Sequence, residues 1–294
     1  MVTERRVKLT WLLVSSVIIL SSAGMLFQMQ DSEPLLSMTA AKMLIPVALT
    51  LLHASMVFSR FRGILLVSLS FLTGLVFEAA GLRYGFLFGG PYAYNSQEFG
   101  PMLLGVPLIV PLYWAVFIYL GYSITTSFLI WTGRQKPSQR GNDLGLLLLL
   151  ILLDGLTVVA IDLLMDPLMV FHGKWFWPQG GPYFGIPVGN FVAWFLVTAF
   201  ATGLFRGFEW RFPGQPKLVD NALHIAPVVA YAVLGGSLAV LALDAHLGNV
   251  AFAGAAVMLP VVGANLYCFL FWRTDSQPRE PAGRTEHSLH RPPF

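Results

Sequence analysis

The chain has 294 residues, 56% of them apolar and only 11% charged, and its mean hydropathy of +0.68 excludes an ordinary soluble domain in favour of a chain whose solvent is mostly lipid. The formal net charge of +3 is too small and too scattered for a nucleic-acid surface. A lone cysteine, Cys268, excludes a disulfide framework and a cysteine-rich metal centre and reads as a small buried side chain.

Apolar runs long enough to cross about 30 Å of hydrocarbon stand at about 8–27, 40–58, 62–80, 106–131, 144–166, 189–205, 222–243 and 249–271. The expected architecture is an all-α, polytopic membrane helical bundle of about eight transmembrane helices. It forms one integral membrane domain over 1–272. A tail at 273–294, rich in Pro, Arg, Glu and His, is expected to be a disordered cytoplasmic end. The first run lacks a small-x-small cleavage signal and reads as a retained helix. On this topology Lys42, Arg83 and Lys174 fall on one side and the other fifteen of the eighteen Lys and Arg, Arg206 among them, on the opposite side. That bias predicts a multi-pass cell-membrane protein with both termini in the cytoplasm.

An internal repeat is superimposed on these spans. Glu78 near the end of the third run is followed by Gly89-Gly90-Pro91-Tyr92, then Gly105, Pro107 and Trp114. Asp162 and Asp166 at the end of the fifth are followed by Gly180-Gly181-Pro182-Tyr183, then Gly185, Pro187 and Trp194. In both copies the Trp lies seven residues after the Gly-x-Pro proline, so the geometry is fixed rather than coincidental. The copies share one orientation, and parallel repeats of this kind bring their motif loops face to face across an axis along the membrane normal.

A carboxyl group among apolar side chains must pair, face a wet cavity or stay protonated. Asp162 and Asp166 are four apart and share a helix face; as neutral acids they would be proton donors working near neutral pH. The alternative is that they cap helix ends or pair with Arg83 or Lys174. Asp154, two turns deeper, is expected to matter less than Asp166 and Glu78. The two loops are crowded with aromatics, including Tyr92, Tyr94, Trp175, Trp177 and Tyr183. A membrane-interface belt accounts for some of them, but beside buried acids aromatic faces also stabilise a carbocation and line a slot for a long apolar ligand. Asn190, opening the sixth run, is placed to orient a water or an acid. No metal-ligand set is legible, His172 being the only histidine near the site, and no cofactor is expected.

With those residues in view the chain resembles the carotenoid biosynthesis family that includes the bacterial carotenoid 1',2'-hydratases and the archaeal bisanhydrobacterioruberin hydratase. The likeness rests on Glu78 to Gly81, Gly89 to Tyr94, Gly105 to Trp114, Asp162 to Pro167, Trp175 to Trp177 and Tyr183 to Asn190. The resemblance implies a cofactor-independent hydro-lyase reaction, addition of water to the terminal C1=C2 double bond of an acyclic carotenoid end group. It implies Asp162 or Asp166 as the acid, Glu78 holding the water, Asn190 assisting, and Tyr92, Tyr94, Trp114, Trp175, Trp177, Tyr183 and Trp194 lining the polyene slot. The implied partners are the carotenoid, membrane lipid and other enzymes of the carotenoid pathway. Arg83-Tyr84 before Gly85 departs from the smaller polar pair expected in the family, which bears on the substrate's end group. The absence of an acidic surface points to a bacterial carotenoid rather than a bacterioruberin precursor.

Two other readings fit parts of the pattern. Asp162-x-x-x-Asp166 matches the magnesium-diphosphate motif of intramembrane prenyltransferases, although a second acidic motif with cationic residues on the cytoplasmic side is not evident. A proton-coupled transporter or lipid-binding module also accommodates the repeat, but transport requires polar groups at mid-membrane in several spans, and apart from Asp154 the central stretches read as apolar.

Overall fold

The computed structural model describes residues 36–95, 99–132, 143–214 and 221–271. The first predicted span at 8–27 and the tail at 273–294 lie outside them. Seven helices are found among the described residues: α1 (Leu36–Val57), α2 (Arg60–Tyr84), α3 (Ile109–Trp131), α4 (Leu144–Phe171), α5 (Val188–Arg211), α6 (Asn221–Asp244) and α7 (Gly248–Phe271). Six of them, α2 to α7, are long and apolar enough to cross a membrane. The protein is an all-α, multi-pass membrane bundle, as the hydropathy predicts.

The helices form where lipid leaves the backbone no partner but itself, and local chemistry sets their ends. Ser59 Oγ accepts the Arg62 N–H at the start of α2, and Gly85, at φ +66°, closes it in a left-handed turn. Asp143 Oδ1 caps α4 by accepting the Leu146 N–H at 2.9 Å. Pro187 precedes α5, where its missing N–H leaves no helical bond unmade.

The most enclosed helix is α3, with 72% of its apolar window buried, whereas α7, at 28%, is peripheral. Around α3 the two halves of the repeat, α2 with α3 and α4 with α5, pack as a four-helix centre, and α6 and α7 lean on it. Close approach within the first half depends on Gly74: a Cβ there would stand 2.5 Å from Trp114 Cβ and Cγ.

Two helices run furthest past the predicted C-terminal ends of their spans. α4 continues through Pro167 to Phe171, and α5 continues past residue 205 to Arg211. A hydropathy window stops at the first charge, but here the charge is satisfied inside the bundle. Arg206, counted as a loop cation in the sequence, is 5% exposed. Its guanidinium donates to Asp154 Oδ2 (2.6 Å) and Oδ1 (2.8 Å) and to Thr125 Oγ1 (2.7 Å). It also lies 4.2 Å from the centre of the Tyr122 ring, whose hydroxyl bonds the Glu209 carboxylate. Glu209 Oε1 is 3.8 Å from Arg62. The central stretches are therefore less apolar than the sequence suggests, because paired charges cost the bundle far less than single ones.

Candidate functional site

The connections α2–α3 and α4–α5 carry the Gly-Gly-Pro-Tyr motifs, and they join one another. Strand β1 (Ala93–Tyr94) from the first pairs antiparallel with β4 (Trp175–Phe176) from the second, β2 (Met102–Leu103) and β3 (Val106–Pro107) forming a separate hairpin. Ala93 lies opposite Phe176 and Tyr94 opposite Trp175. The ladder is continued by Asn95 N–H to Lys174 O at 2.9 Å, and the Trp177 Nε1–H donates to Phe88 O at 2.9 Å. The first loop also touches the start of α5 with no side chain between: a Cβ on Gly189 would lie 2.6 Å from Gly89 Cα. Beneath this lid the tryptophans of the two copies meet, Trp114 and Trp194 having ring centres 4.2 Å apart. The face-to-face arrangement predicted from the repeat is thus realised by backbone pairing above and aromatic contact below.

The acids hang from the helix ends under the lid. Glu78 is 5% exposed, Asp162 0%, Asp166 2% and Asn190 2%. Glu78 sits in a cradle of donors supplied by its own half of the repeat. Its Oε2 accepts from the Tyr92 hydroxyl at 2.6 Å and the Tyr94 hydroxyl at 2.7 Å, and its Oε1 accepts from the Trp114 Nε1–H at 2.9 Å. Burial, and after it the charge of Glu78, push both phenols well above the ordinary tyrosine range, so they stay protonated and donating.

The aspartates are held differently. One amide, Asn190 Nδ2, donates to Asp162 Oδ2 at 3.0 Å and to Asp166 Oδ2 at 2.6 Å. The two carboxyls touch each other, and Trp175 lies beside Asp166. Asp162 Oδ1 is buried and has no partner among the described residues. Two carboxyls this close and out of water make it costly to ionise both at once. Neither the helix-capping alternative nor a pairing with Arg83 describes this geometry: Arg83 is exposed and lies over the Tyr84 ring.

Aromatic rings wall the acids in. Tyr92 meets Phe88 and Tyr94 edge to face, at 5.4 and 5.7 Å, and inclines over Trp177 at 5.9 Å. Tyr94 meets Trp175 edge to face at 5.8 Å. Trp194 also touches Phe117 at 6.1 Å. Of the predicted lining residues, Tyr183 bonds backbone next to Asp162 rather than a carboxyl. Its hydroxyl donates to Leu163 O at 2.9 Å and its ring packs on Phe184 and Phe191, so it braces the second loop against α4. His172 ends α4, exposed, with its ring against Phe171. Phe99, which follows the motif at no repeated spacing and so gives no signal in the sequence, stacks its ring parallel to Trp175 at 6.3 Å and meets Tyr94 edge to face. Among the described residues no three His, Cys, Asp or Glu side chains converge as a metal site would.

Compared with known proteins, residues 35–262 match the family of carotenoid biosynthesis proteins, and the chain belongs to that family. No curated protein and no solved structure matches the chain. Membership gives the protein a role in carotenoid biosynthesis and a carotenoid-related substrate.

Proposed function

We propose that this member of the carotenoid biosynthesis family is a hydratase that adds water to the terminal C1=C2 double bond of an acyclic carotenoid end group. The observation that carries the reading is the pair of contacting, fully buried aspartates bridged by Asn190 beside a separately clamped Glu78, all enclosed by aromatic rings. A polyene offers no heteroatom, so the demanding step is protonation of a carbon, and that calls for a desolvated acid next to something that tolerates a cation.

In the proposed sequence the Asp162–Asp166 pair gives its proton to C2, and the π electrons form the new C–H bond. Positive charge is left on C1, a tertiary centre. Glu78, whose three donors suit an acceptor-only carboxylate, and the faces of Tyr92, Tyr94, Trp114 and Trp194 stabilise that cation. A water then donates a lone pair to C1. Its departing proton returns to the ionised aspartate pair, which restores the catalyst and leaves a tertiary alcohol. Access to the site is lateral, from the bilayer, with the apolar rod of the substrate along lipid and only its end among the acids.

The prenyltransferase reading is less well supported. Its magnesium-binding Asp-x-x-x-Asp carboxylates would have to point their oxygens at a cation, whereas here both Oδ2 atoms accept from one amide. The test is expression in cells that accumulate lycopene or γ-carotene, with pigments analysed by mass spectrometry. A product heavier by one water, formed equally in chelator-treated membranes, is expected. Unchanged pigment despite confirmed membrane insertion would overturn the reading.

A further inference from the structure

The four helices around the acids meet in four seams, and three of these are closed at atomic contact. A Cβ on Gly74 would stand 2.5 Å from Trp114 Cβ between α2 and α3, one on Gly121 2.8 Å from Val158 Cγ2 between α3 and α4, and one on Gly155 2.5 Å from Phe195 Cδ2 between α4 and α5. Outside the first seam lies α1, and outside the second lie α6 and α7, with Gly254 of α7 seated on Leu164. The third is tied at both ends, by Asn190 to the aspartates and by Arg206 to Asp154. The fourth, α2–α5, is the loosest of the ring, and no glycine of either helix lies against the other.

Rings space that seam instead. Phe77 and Phe200 meet across it with centres 5.8 Å apart, and at the foot of the bundle Phe61 and Arg62 gather on Phe208. There α1 also reaches α5, Phe58 lying 6.2 Å from Phe205; toward the lid no described helix packs across the seam. At the lid itself the first loop closes on α5, where Gly189 lies against Gly89. Between Phe200 and Gly189 α5 climbs about 16 Å, and that stretch carries Trp194 and Asn190, both residues of the site. Phe77 directly precedes Glu78, so the ring pair stands level with that acid. One turn toward the lid, on the same face of α2 as Phe77, comes Ala80, small and half-buried.

We propose that the α2–α5 seam, from Phe77–Phe200 up to Gly89–Gly189, is the port through which the end of the polyene reaches the acids, with the two rings as its sill and Ala80 setting its width. This rests on the reading of the site as one that works on a carotenoid. A rod drawn from the bilayer has to pass between helices, because the paired loops roof the site, and the contacts above shut the other three seams. Val76, Val192 and Leu196, apolar and exposed beside the port, continue it into lipid. The sill offers aromatic faces, which carry a conjugated chain without asking it for a hydrogen bond.

The test compares Ala80→Trp, which fills the port, with Leu204→Trp, which adds bulk to the exposed face of α5 below the sill. Purified protein in lipid nanodiscs is titrated with lycopene, and binding is read as the visible circular-dichroism band that an achiral polyene acquires in a protein site. Ala80→Trp is expected to weaken binding roughly tenfold or more and pigment hydration with it, whereas Leu204→Trp stays within about twofold of the native protein in both. Native binding by Ala80→Trp, or equal losses in the two variants, would overturn the port; if the Ala80→Trp protein does not accumulate, Ala80→Leu takes its place in the same comparison. Benzoylphenylalanine substituted for Phe200 is expected to cross-link lycopene on illumination. Capture of residues 8–27 of the chain instead would show the seam shut by the first predicted span and would equally refute it. Failure of the hydratase reading has a different signature, no hydrated pigment from an unaltered protein that still binds lycopene.

Discussion

Replacing Arg206 with Met removes a buried cation and leaves its partner behind. The guanidinium makes two hydrogen bonds to Asp154, at 2.6 and 2.8 Å, and one to Thr125 at 2.7 Å, within a site where Arg206 is 5% and Asp154 0% exposed. In Arg206→Met, Asp154 keeps only the Thr125 hydroxyl, and an uncompensated buried charge of this kind costs about 3–5 kcal/mol. Asp154→Leu alone strands the arginine and costs a similar amount. The double variant Asp154→Leu/Arg206→Met strands nothing and refills the volume with apolar atoms, so it is expected within about 1 kcal/mol of the native protein, as apolar replacement of a buried pair often is. The two changes therefore couple by several kcal/mol rather than adding. Detergent-induced unfolding in bicelles, followed by tryptophan fluorescence, measures all four corners of the cycle. An Arg206→Met protein as stable as the native one, or a double variant no better than the singles, would refute the buried ion pair.

Asp166→Asn and Glu78→Gln are expected to insert at normal abundance and to yield no hydrated pigment by mass spectrometry, because on the proposed mechanism one breaks the proton-donating pair and the other removes the group facing the cation. Tyr94→Phe removes one of the three donors on Glu78, a charge-assisted bond worth about 1.5–3 kcal/mol; its hydration rate should fall at least tenfold in a membrane assay while the Tyr92 and Trp114 contacts persist. Gly74→Val places side-chain atoms on Trp114, where a Cβ would already be 2.5 Å away; overpacking of about 1–3 kcal/mol or more should lower resistance to unfolding in bicelles, whereas native stability would show that α2 and α3 can separate freely.

Much of this arrangement could be read from the chain alone, because lipid simplifies the problem. Within hydrocarbon the backbone must be helical, so run length located α2 to α7, and an acid in such a run needed a reason to be there. The equal spacing of Trp114 and Trp194 after their prolines brought both rings to one level, where their centres lie 4.2 Å apart at a 37° tilt. What the sequence concealed was pairing between distant helices. Arg206 looked like the end of a span because hydropathy scores residues singly, and only the meeting of α4 with α5 brings Asp154 to it. Asp154 therefore changes character, from a lesser member of the acid set to one half of an ion pair that fixes the helix register. Tyr183, the counterpart of Tyr92, gives its hydroxyl to the Leu163 carbonyl beside Asp162 rather than to a carboxyl, a difference that the shared motif does not reveal.

The difference between Tyr92 and Tyr183 reflects how a symmetric scaffold acquires unlike halves. The first copy continues Gly-Gly-Pro-Tyr with Ala93-Tyr94 and carries one acid, and its tyrosines and Trp114 all donate to that acid. The second continues with Phe184-Gly185, which offers no second hydroxyl, and carries two acids one turn apart. Three residues after the Gly-x-Pro proline the first copy has Val110, which has no amide, and the second has Asn190, which holds both aspartates. The pseudo-twofold packing brings these halves together under one lid. It places a carboxyl with three donors beside a carboxyl pair held by a single amide. The proposed addition of water draws on that inequality, a group that gives a proton next to one that faces the cation, and two identical halves could not supply it.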